Sequence, residues 1–261
     1  MNLGSKQAMV FAATGAIGSE VARTFARQGA HVWLSGRNAA ALEDIAAGIN
    51  AAGGSASFAI VDATDSAAVQ AYVDRVAAQT GRIDIVFNAI GGHPSDLGYP
   101  ALSTTQPFED FMTPLRVILG STFLTARVAG GHMLRQGSGS IVTLSATLSG
   151  MTSGYMAGIS AACGAIEALT RSLAGEFGPA GVRVNCVRGS AMPETRTIQE
   201  TAAGQARVMG ISMAGMQLPL PPLGRMITVA ETASAAAFLA SDAASGMTGQ
   251  VLTVCAGAFV G

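Results

Sequence analysis

The chain of 261 residues has few charged and few aromatic side chains. Charged residues make up 12% of it, aromatic residues make up 5%, and the formal net charge is −1. It contains no run of lysine or arginine, so the basic surface with which proteins attract a phosphate backbone is missing. The composition therefore predicts that nucleic acid is not a partner.

Cysteine is also scarce, and no apolar run is long enough to span a membrane. Cys163, Cys186 and Cys255 lie far apart and outside metal-ligand spacing, which is typical of reduced intracellular thiols and predicts no metal site. A membrane-spanning helix needs about 20 apolar residues in succession, and the first residues lack the charged and apolar regions of a signal peptide. We expect a cytoplasmic protein with no membrane partner.

Apolar residues, in contrast, make up 49% of the chain. Alanine accounts for part of this share. The rest is high for a soluble monomer, and apolar surface of this kind is commonly buried between subunits. We therefore expect a homo-oligomer, either a dimer or a tetramer.

Short apolar runs alternate with helix-length segments along the whole chain. Continuous apolar runs, as opposed to alternating ones, are typical of parallel strands that are covered on both faces. The pattern predicts a single doubly wound α/β domain of the Rossmann type over residues 1–261, with a seven-stranded parallel sheet and helices on both faces. The predicted strands are residues 9–13, 30–35, 57–61, 83–89, 140–146, 182–187 and 250–256.

Three segments in the second half of the chain bear on function. Helices are predicted over residues 115–134 and 154–177, and small residues near the start of the second favour close packing against another helix. Between residues 189 and 224 the periodic pattern gives way to methionine, proline and glycine. An irregular insertion of this length beside a sheet is typical of a substrate lid.

A glycine-containing turn follows the first predicted strand. Ala12, Gly15 and Gly18 are spaced three residues apart where the chain passes from strand to helix. Glycines there let the backbone approach a pyrophosphate, and the helix N-terminus supplies free N–H groups. The alternative is a tight turn without a ligand, because Ala12 replaces the first glycine of the usual motif.

Arg37 follows the second predicted strand, where an acidic residue would bind a ribose 2′-hydroxyl. Because an arginine instead accommodates a 2′-phosphate, the residue favours NADP(H) over NAD(H). The alternative is an ordinary solvated arginine at the start of a helix.

From Lys6 to Gly261 the chain resembles the short-chain dehydrogenase/reductase family. The resemblance rests on VDATD (61–65), DIVFNAIGG (84–92), LTRSLAGEFGPAGVRVNCV (169–187) and PLGRMITVAETASAAAFLASDAASGMTGQVLTV (222–254). It implies an NAD(P) cofactor and a small-molecule substrate. The implied cofactor-binding residues are Ala13, Gly15, Ile17, Gly18, Arg37, Asp62, Ala63, Asn88, Ala89 and Gly91.

The same resemblance implies that the catalytic residues of the family are absent. The family uses an asparagine, a serine, a tyrosine and a lysine, the last two spaced i and i+4 on one helix face. The matching positions here hold Ile118, Ala146, Ile159 and Cys163, while Ser145 lies one residue early. No catalytic residue is therefore predicted.

Three other residues are candidates for a substrate pocket. His93 follows the fourth strand, Tyr155 precedes Ile159 by one helical turn, and Arg188 stands where the resemblance implies the nicotinamide or substrate end. Two of them have a structural alternative: Tyr155 as a half-buried aromatic at the helix entry, and Arg188 as an arginine that exits to solvent or pairs with Glu194. Cys163 is expected to be an inert buried thiol and not a nucleophile.

Three functions remain open from the sequence. The first is an NADP(H)-dependent oxidoreductase of a small carbonyl or enoyl compound that lacks the usual tyrosine and lysine. The second is a catalytically inactive subunit, in which helix 154–177 retains the family's dimer contacts and assembles with an active relative as a hetero-oligomer. The third is non-redox chemistry, such as a lyase or isomerase reaction, that uses His93, Tyr155 or Arg188.

Overall fold

A seven-stranded parallel sheet forms the centre of the protein in a computed structural model, which describes residues 2–215 and 220–259. The strands are β1 Gln7–Phe11, β2 His31–Gly36, β3 Ser55–Ile60, β4 Ile85–Asn88, β5 Gly139–Ala146, β6 Val182–Gly189 and β7 Val251–Val254. Their order in the sheet is β3-β2-β1-β4-β5-β6-β7. The predicted doubly wound fold is confirmed, and its direction of winding reverses between β1 and β4.

Helices connect the strands and cover both faces of the sheet. They are α1 Ala16–Arg27, α2 Ala39–Ala51, α3 Ser66–Thr80, α4 Phe108–Pro114, α5 Gly120–Gln136, α6 Ala157–Phe177, α7 Arg196–Met209 and α8 Val229–Ala240. A π-helical turn, Leu115–Leu119, joins α4 to α5. Among the described residues, no helix combines the length and the apolar character needed to cross a bilayer.

Two apolar cores explain why central strands such as β1 and β4 have no polar face. In β1, Val10 points into a core with α1, α2 and α8, whereas Met9 and Phe11 point into a second core with α3, α5 and α6. Successive side chains of a strand alternate between the two faces, so a strand buried on both must be apolar throughout. Edge-to-face aromatic pairs lie in each core, Phe25 with Phe87 and Phe11 with Tyr72.

The prediction of an irregular insertion over residues 189–224 is wrong for the middle of this segment, because that part forms helix α7. The Thr195 hydroxyl accepts a hydrogen bond from the Ile198 amide at the start of this helix, and Gly210 ends it with a φ of 68°. These are ordinary start and stop signals. Residues 216–219 of the insertion lie outside the described residues.

The helix predicted over residues 154–177 begins three residues later than expected, at Ala157. Tyr155 has a φ of 66°, in the left-handed region that a helix interior does not contain. Tyr155 is thus part of the preceding turn, and the prediction that it shares a helix face with Ile159 is wrong.

Candidate functional site

The turns that follow β3, β2, β1 and β4 lie side by side at the carboxyl edge of the sheet. Parallel strands end at the same edge, so this order brings together residues far apart in sequence. The crevice at a reversal of strand order is where open α/β sheets bind nucleotides. The ten predicted cofactor-binding residues lie in these four turns, at the end of β4 or in the first turn of α1: Ala13, Gly15, Ile17, Gly18, Arg37, Asp62, Ala63, Asn88, Ala89 and Gly91.

The turn between β1 and α1 depends on the absence of a side chain at Gly18. A Cβ there would overlap the carbonyl oxygen of Ala12, itself held at a φ of 56°. Gly15 is the N-cap, and no side chain caps the helix. The first backbone N–H groups of α1 therefore remain available to an anion, so the turn fits a pyrophosphate even though Ala12 replaces a glycine.

Arg37 and Asp62 follow the two neighbouring strands. Arg37 is exposed, and its guanidinium forms no hydrogen bond or ion pair within the described residues. Asp62 accepts hydrogen bonds from the Thr64 hydroxyl at 2.7 Å and the Thr64 amide at 2.9 Å. These bonds, with a smaller contribution from Arg37, hold the pKa of Asp62 below its ordinary value. Asp62 is thus a fixed anion beside a cation without an ion-pair partner.

Asn88 fixes the turn after β4. It is buried, its Nδ2 donates to the Thr125 hydroxyl at 3.0 Å, and its Oδ1 accepts from the Ile90 amide at 2.9 Å. The Ala89 amide donates to the Phe11 carbonyl at 3.1 Å. Gly91 is exposed, with open space where a Cβ would project. The side chain of Asn88 therefore holds the backbone of this turn and leaves open space beside Gly91.

The four positions that the sequence resemblance predicts to match catalytic residues lie together in one apolar cluster. Ile159 and Cys163 are buried there, with Ile118 and Ala146 packed against them, and Leu97 and Tyr99 cover the group. Burial raises the pKa of the Cys163 thiol to about 11, which agrees with an inert thiol. None of the four side chains has a proton to exchange near neutral pH.

A displaced lysine cannot replace Cys163. The chain contains a single lysine, Lys6, whose ammonium lies 2.5 Å from the Asp242 carboxylate. Lys6 immediately precedes β1, at the opposite edge of the sheet from the turn that contains Gly18. The single lysine of the chain therefore does not lie beside Cys163.

Arg188 forms an ion pair with Glu167 of α6. Its Nε and Nη2 donate to the two carboxylate oxygens at 2.8 and 2.6 Å; Glu167 is buried and Arg188 is largely buried. The guanidinium also lies 4.7 Å from the centre of the Phe259 ring. The alternative pairing with Glu194 is wrong, since Glu194 accepts a hydrogen bond from the Val229 amide at 2.7 Å. The charge of Arg188 is thus already neutralised inside the protein.

Ser145 belongs to the same network. Its hydroxyl donates to Glu167 at 2.8 Å, on the face of β5 opposite Ala146. Burial acts to raise the pKa of Glu167, but the hydrogen bonds from Arg188 and Ser145 outweigh it and hold that pKa below the ordinary value. Ser145 is therefore part of a structural ion-pair network and is not a displaced catalytic serine.

His93 borders a cavity of about 430 Å³ between loop 93–101 and α7. Its Nδ1 lies 2.9 Å from Glu200 and 2.7 Å from the Arg196 guanidinium, both of α7. Tyr99, Asp110 and Arg207 line the same cavity, whereas Tyr155 and Arg188 do not. Of the three substrate-pocket candidates, only His93 lies there.

The sequence interpretation missed Tyr99, although it is the one tyrosine in the loop after β4. It is buried against Cys163 and Ile159 and also lines the cavity. The backbone of Tyr155 is joined to this loop, because its carbonyl accepts a hydrogen bond from the Ala101 amide at 2.9 Å. No metal-ligand cluster occurs within the described parts of the chain.

Comparisons with known proteins agree with this geometry. Residues 11–258 match the family described as enoyl-(acyl carrier protein) reductase. The chain is 31% identical to D-threitol dehydrogenase of Mycolicibacterium smegmatis over 255 residues, which cover 98% of this chain and 93% of that one. It is 27% identical to NAD⁺-bound xylitol dehydrogenase, with a TM-score of 0.88, and the match covers 98% of this chain and all of that one.

A second solved structure carries the other nicotinamide cofactor. It is described as an NAD(P)-dependent gluconate 5-dehydrogenase from Beutenbergia cavernae with NADP bound at low occupancy. It is 31% identical to this chain, has a TM-score of 0.84, and the match covers 98% of this chain and 97% of that one.

Proposed function

The chain belongs to the short-chain dehydrogenase/reductase family, and we propose that it is an NADP(H)-dependent oxidoreductase that acts on a small carbonyl or enoyl compound without the family's Asn-Ser-Tyr-Lys chemistry. The observation that carries the proposal is the sheet edge where an uncapped helix N-terminus and an Arg37 without an ion-pair partner lie in adjacent turns. Similar proteins that are named as dehydrogenases of threitol, xylitol and gluconate support the redox class.

Different residues of the site would contact different parts of such a cofactor. The turn with Gly15 and Gly18 would bind the pyrophosphate, Arg37 would bind the 2′-phosphate, and Asp62 and Ala63 would flank the adenine. Ile17 would pack against the dinucleotide, while Asn88 holds the turn through Gly91 open for its nicotinamide half. The cofactor supplies hydride chemistry, and the chain supplies its position and the exclusion of water.

The apolar cluster at Ile118, Ala146, Ile159 and Cys163 is the reason for proposing a reaction without the family's proton donor. Isoleucine and alanine cannot donate a proton, and a neutral thiol cannot supply the charge of a lysine. The same observation favours the second candidate, a catalytically inactive subunit that assembles with an active relative. The oligomeric state, the hetero-oligomer and a cytoplasmic location remain predictions, as does a lid role for α7 and its flanks.

A calorimetric titration with NADPH and NADH tests the proposal. Loss of a hydrogen bond to a charged group costs about 1.5–3 kcal/mol. Replacement of Arg37 by alanine should therefore weaken NADPH binding about 10- to 100-fold and leave NADH binding unchanged. Arg23→Ala is the matched control, because Arg23 is exposed further along α1.

Three results would count against the proposal in different ways. Failure of both nucleotides to bind would exclude hydride chemistry. Equal weakening of NADPH and NADH by Arg37→Ala would exclude the 2′-phosphate contact. NADPH binding without turnover of any carbonyl or enoyl compound, together with co-purification of an active relative, would favour the inactive subunit.

A further inference from the structure

Tyr99 lines the cavity between loop 93–101 and α7. We propose that the Tyr99 hydroxyl binds and polarises the carbonyl oxygen of a small ligand in this cavity, in place of the family's tyrosine. The inference rests on the proposed function, because it identifies the group that recognises the carbonyl substrate.

The other two tyrosines of the chain are placed differently. Tyr72 is buried, and its hydroxyl donates to the Leu34 carbonyl at 3.2 Å. Tyr155 lies in the turn before α6 and does not line the cavity. Tyr99 is therefore the tyrosine whose surroundings leave its hydroxyl to a ligand.

The position of Tyr99 connects the cavity with the apolar cluster. Its side chain packs with Ile159 and Cys163, the positions where the family carries tyrosine and lysine. Its hydroxyl forms no hydrogen bond to any described residue, yet it is not among the polar atoms fully sealed from solvent. A phenol enters this region from loop 93–101, whereas the family's tyrosine enters from α6.

The environment of Tyr99 keeps its hydroxyl neutral. Burial, with smaller contributions from Cys163 and Glu200, raises the pKa of Tyr99 to about 12. A phenol with this pKa is a hydrogen-bond donor throughout the neutral range and does not act as a base there. Tyr99 is thus suited to polarise a carbonyl group, and the absence of a nearby lysine is consistent with that role.

The charged residues that line the cavity, together with its volume, restrict the kind of ligand that it can hold. The Glu200 carboxylate lies 3.2 Å from the guanidinium of Arg196 and 2.9 Å from Nδ1 of His93. Asp110 and Arg207 have no ion-pair partner among the described residues. A volume of about 430 Å³ is within the range of small-molecule sites. The ligand class is a small carbonyl compound whose body fits between the loop and α7.

A chromophoric aldehyde tests the inference without any turnover. 4-(Dimethylamino)cinnamaldehyde absorbs at longer wavelength when a donor polarises its carbonyl group, so titration of the full chain should give a saturable red shift. Tyr99→Phe should abolish the red shift and weaken binding about three- to tenfold, the share of one neutral hydrogen bond. Tyr155→Phe, the matched control, should retain both.

One further variant locates the bound aldehyde, and one further measurement checks that Tyr99→Phe is folded. Ala203→Phe places a large side chain in the cavity wall and should abolish binding of the aldehyde, which locates the probe. Circular dichroism should show Tyr99→Phe folded, because the lost hydroxyl has no internal partner. A red shift that survives in Tyr99→Phe, or a wild-type protein that binds no aldehyde, would overturn the inference.

The nucleotide titration separates this inference from the proposed function. A protein that binds NADPH but shows no Tyr99-dependent red shift would retain the proposed function and lose the inference. A protein with the red shift but no affinity for either nucleotide would retain a carbonyl-binding cavity and lose the oxidoreductase.

Discussion

The proposed nucleotide site, called the nucleotide end, is built mainly from the backbone of the turns after β1–β4. The proposed substrate cavity, called the substrate end, is built from side chains of loop 93–101 and α7. At the nucleotide end, the turn requires Gly18 because a side chain there would overlap the Ala12 carbonyl oxygen. At the substrate end, His93, Tyr99 and Glu200 meet only because a loop and a helix fold against each other. Sites built from backbone tolerate sequence divergence better, because their geometry follows from the fold.

The largest effect on stability and nucleotide binding is expected from a substitution at Gly18, in the turn between β1 and α1. In Gly18→Ala the new Cβ would overlap the Ala12 carbonyl oxygen, so the turn must move. We expect a loss of about 3 kcal/mol in the free energy of unfolding and loss of NADPH binding. Urea denaturation and calorimetry measure the two.

The control for this prediction is Gly48→Ala. Gly48 lies inside α2 with open space where a Cβ would project, so alanine should stabilise the protein by about 0.5–1 kcal/mol. If Gly18→Ala is as stable as wild type and binds NADPH normally, the overlap does not constrain the turn.

A smaller effect is expected from the ion pair of Glu167 and Arg188, beneath the substrate end. Glu167→Gln leaves a buried guanidinium without its counter-charge, which should cost about 2–3 kcal/mol at neutral pH. The pKa of Glu167 is lowered in the folded state, so its stabilising contribution is present above the unfolded pKa and is lost as the pH falls through the folded value. The difference between wild type and variant should therefore shrink on acidification.

Urea denaturation across the acid range measures this difference. Glu176→Gln, exposed on the same helix, should change stability by less than about 0.5 kcal/mol at any pH. A difference between wild type and Glu167→Gln that stays constant with pH would show that the ionised carboxylate is not what stabilises Arg188.

The smallest effect is expected at Cys163, where the sequence resemblance predicts the position of a lysine. Cys163→Ala removes a buried thiol with a raised pKa and should cost about 1 kcal/mol of stability. NADPH binding should change by less than about twofold, or about 0.4 kcal/mol, because a neutral thiol adds nothing to a ribose contact. A larger loss of affinity, measured by calorimetry, would mean that this position still contributes to the cofactor site.

The fold and the strand-to-helix turn at Gly15 and Gly18 could be predicted from sequence because both follow from periodicity and from glycine spacing. Apolar runs such as residues 83–89 predicted buried parallel strands, and the turn with Gly15 and Gly18 predicted a strand-to-helix transition, as the structure shows. These signals are local in the chain, since the physical constraint acts on neighbouring residues.

The substrate end could not be predicted in the same way, since its contacts depend on long-range packing. Arg188 was expected near a ligand, but Glu167 of α6 neutralises it. Tyr155 was expected on a helix, but a left-handed backbone places it in a turn. Tyr99 carries no sequence motif and becomes a candidate only when loop 93–101 packs on Cys163.

Hydrogen–deuterium exchange of the protein with and without NADPH tests whether the nucleotide binds at this edge of the sheet. We expect saturating NADPH to slow exchange of the backbone amides in the turns after β1, β2 and β3, at residues 12–18, 36–37 and 62–63 together. Unchanged exchange in these three turns, or slowing confined to other parts of the chain, would contradict a nucleotide site at this edge of the sheet.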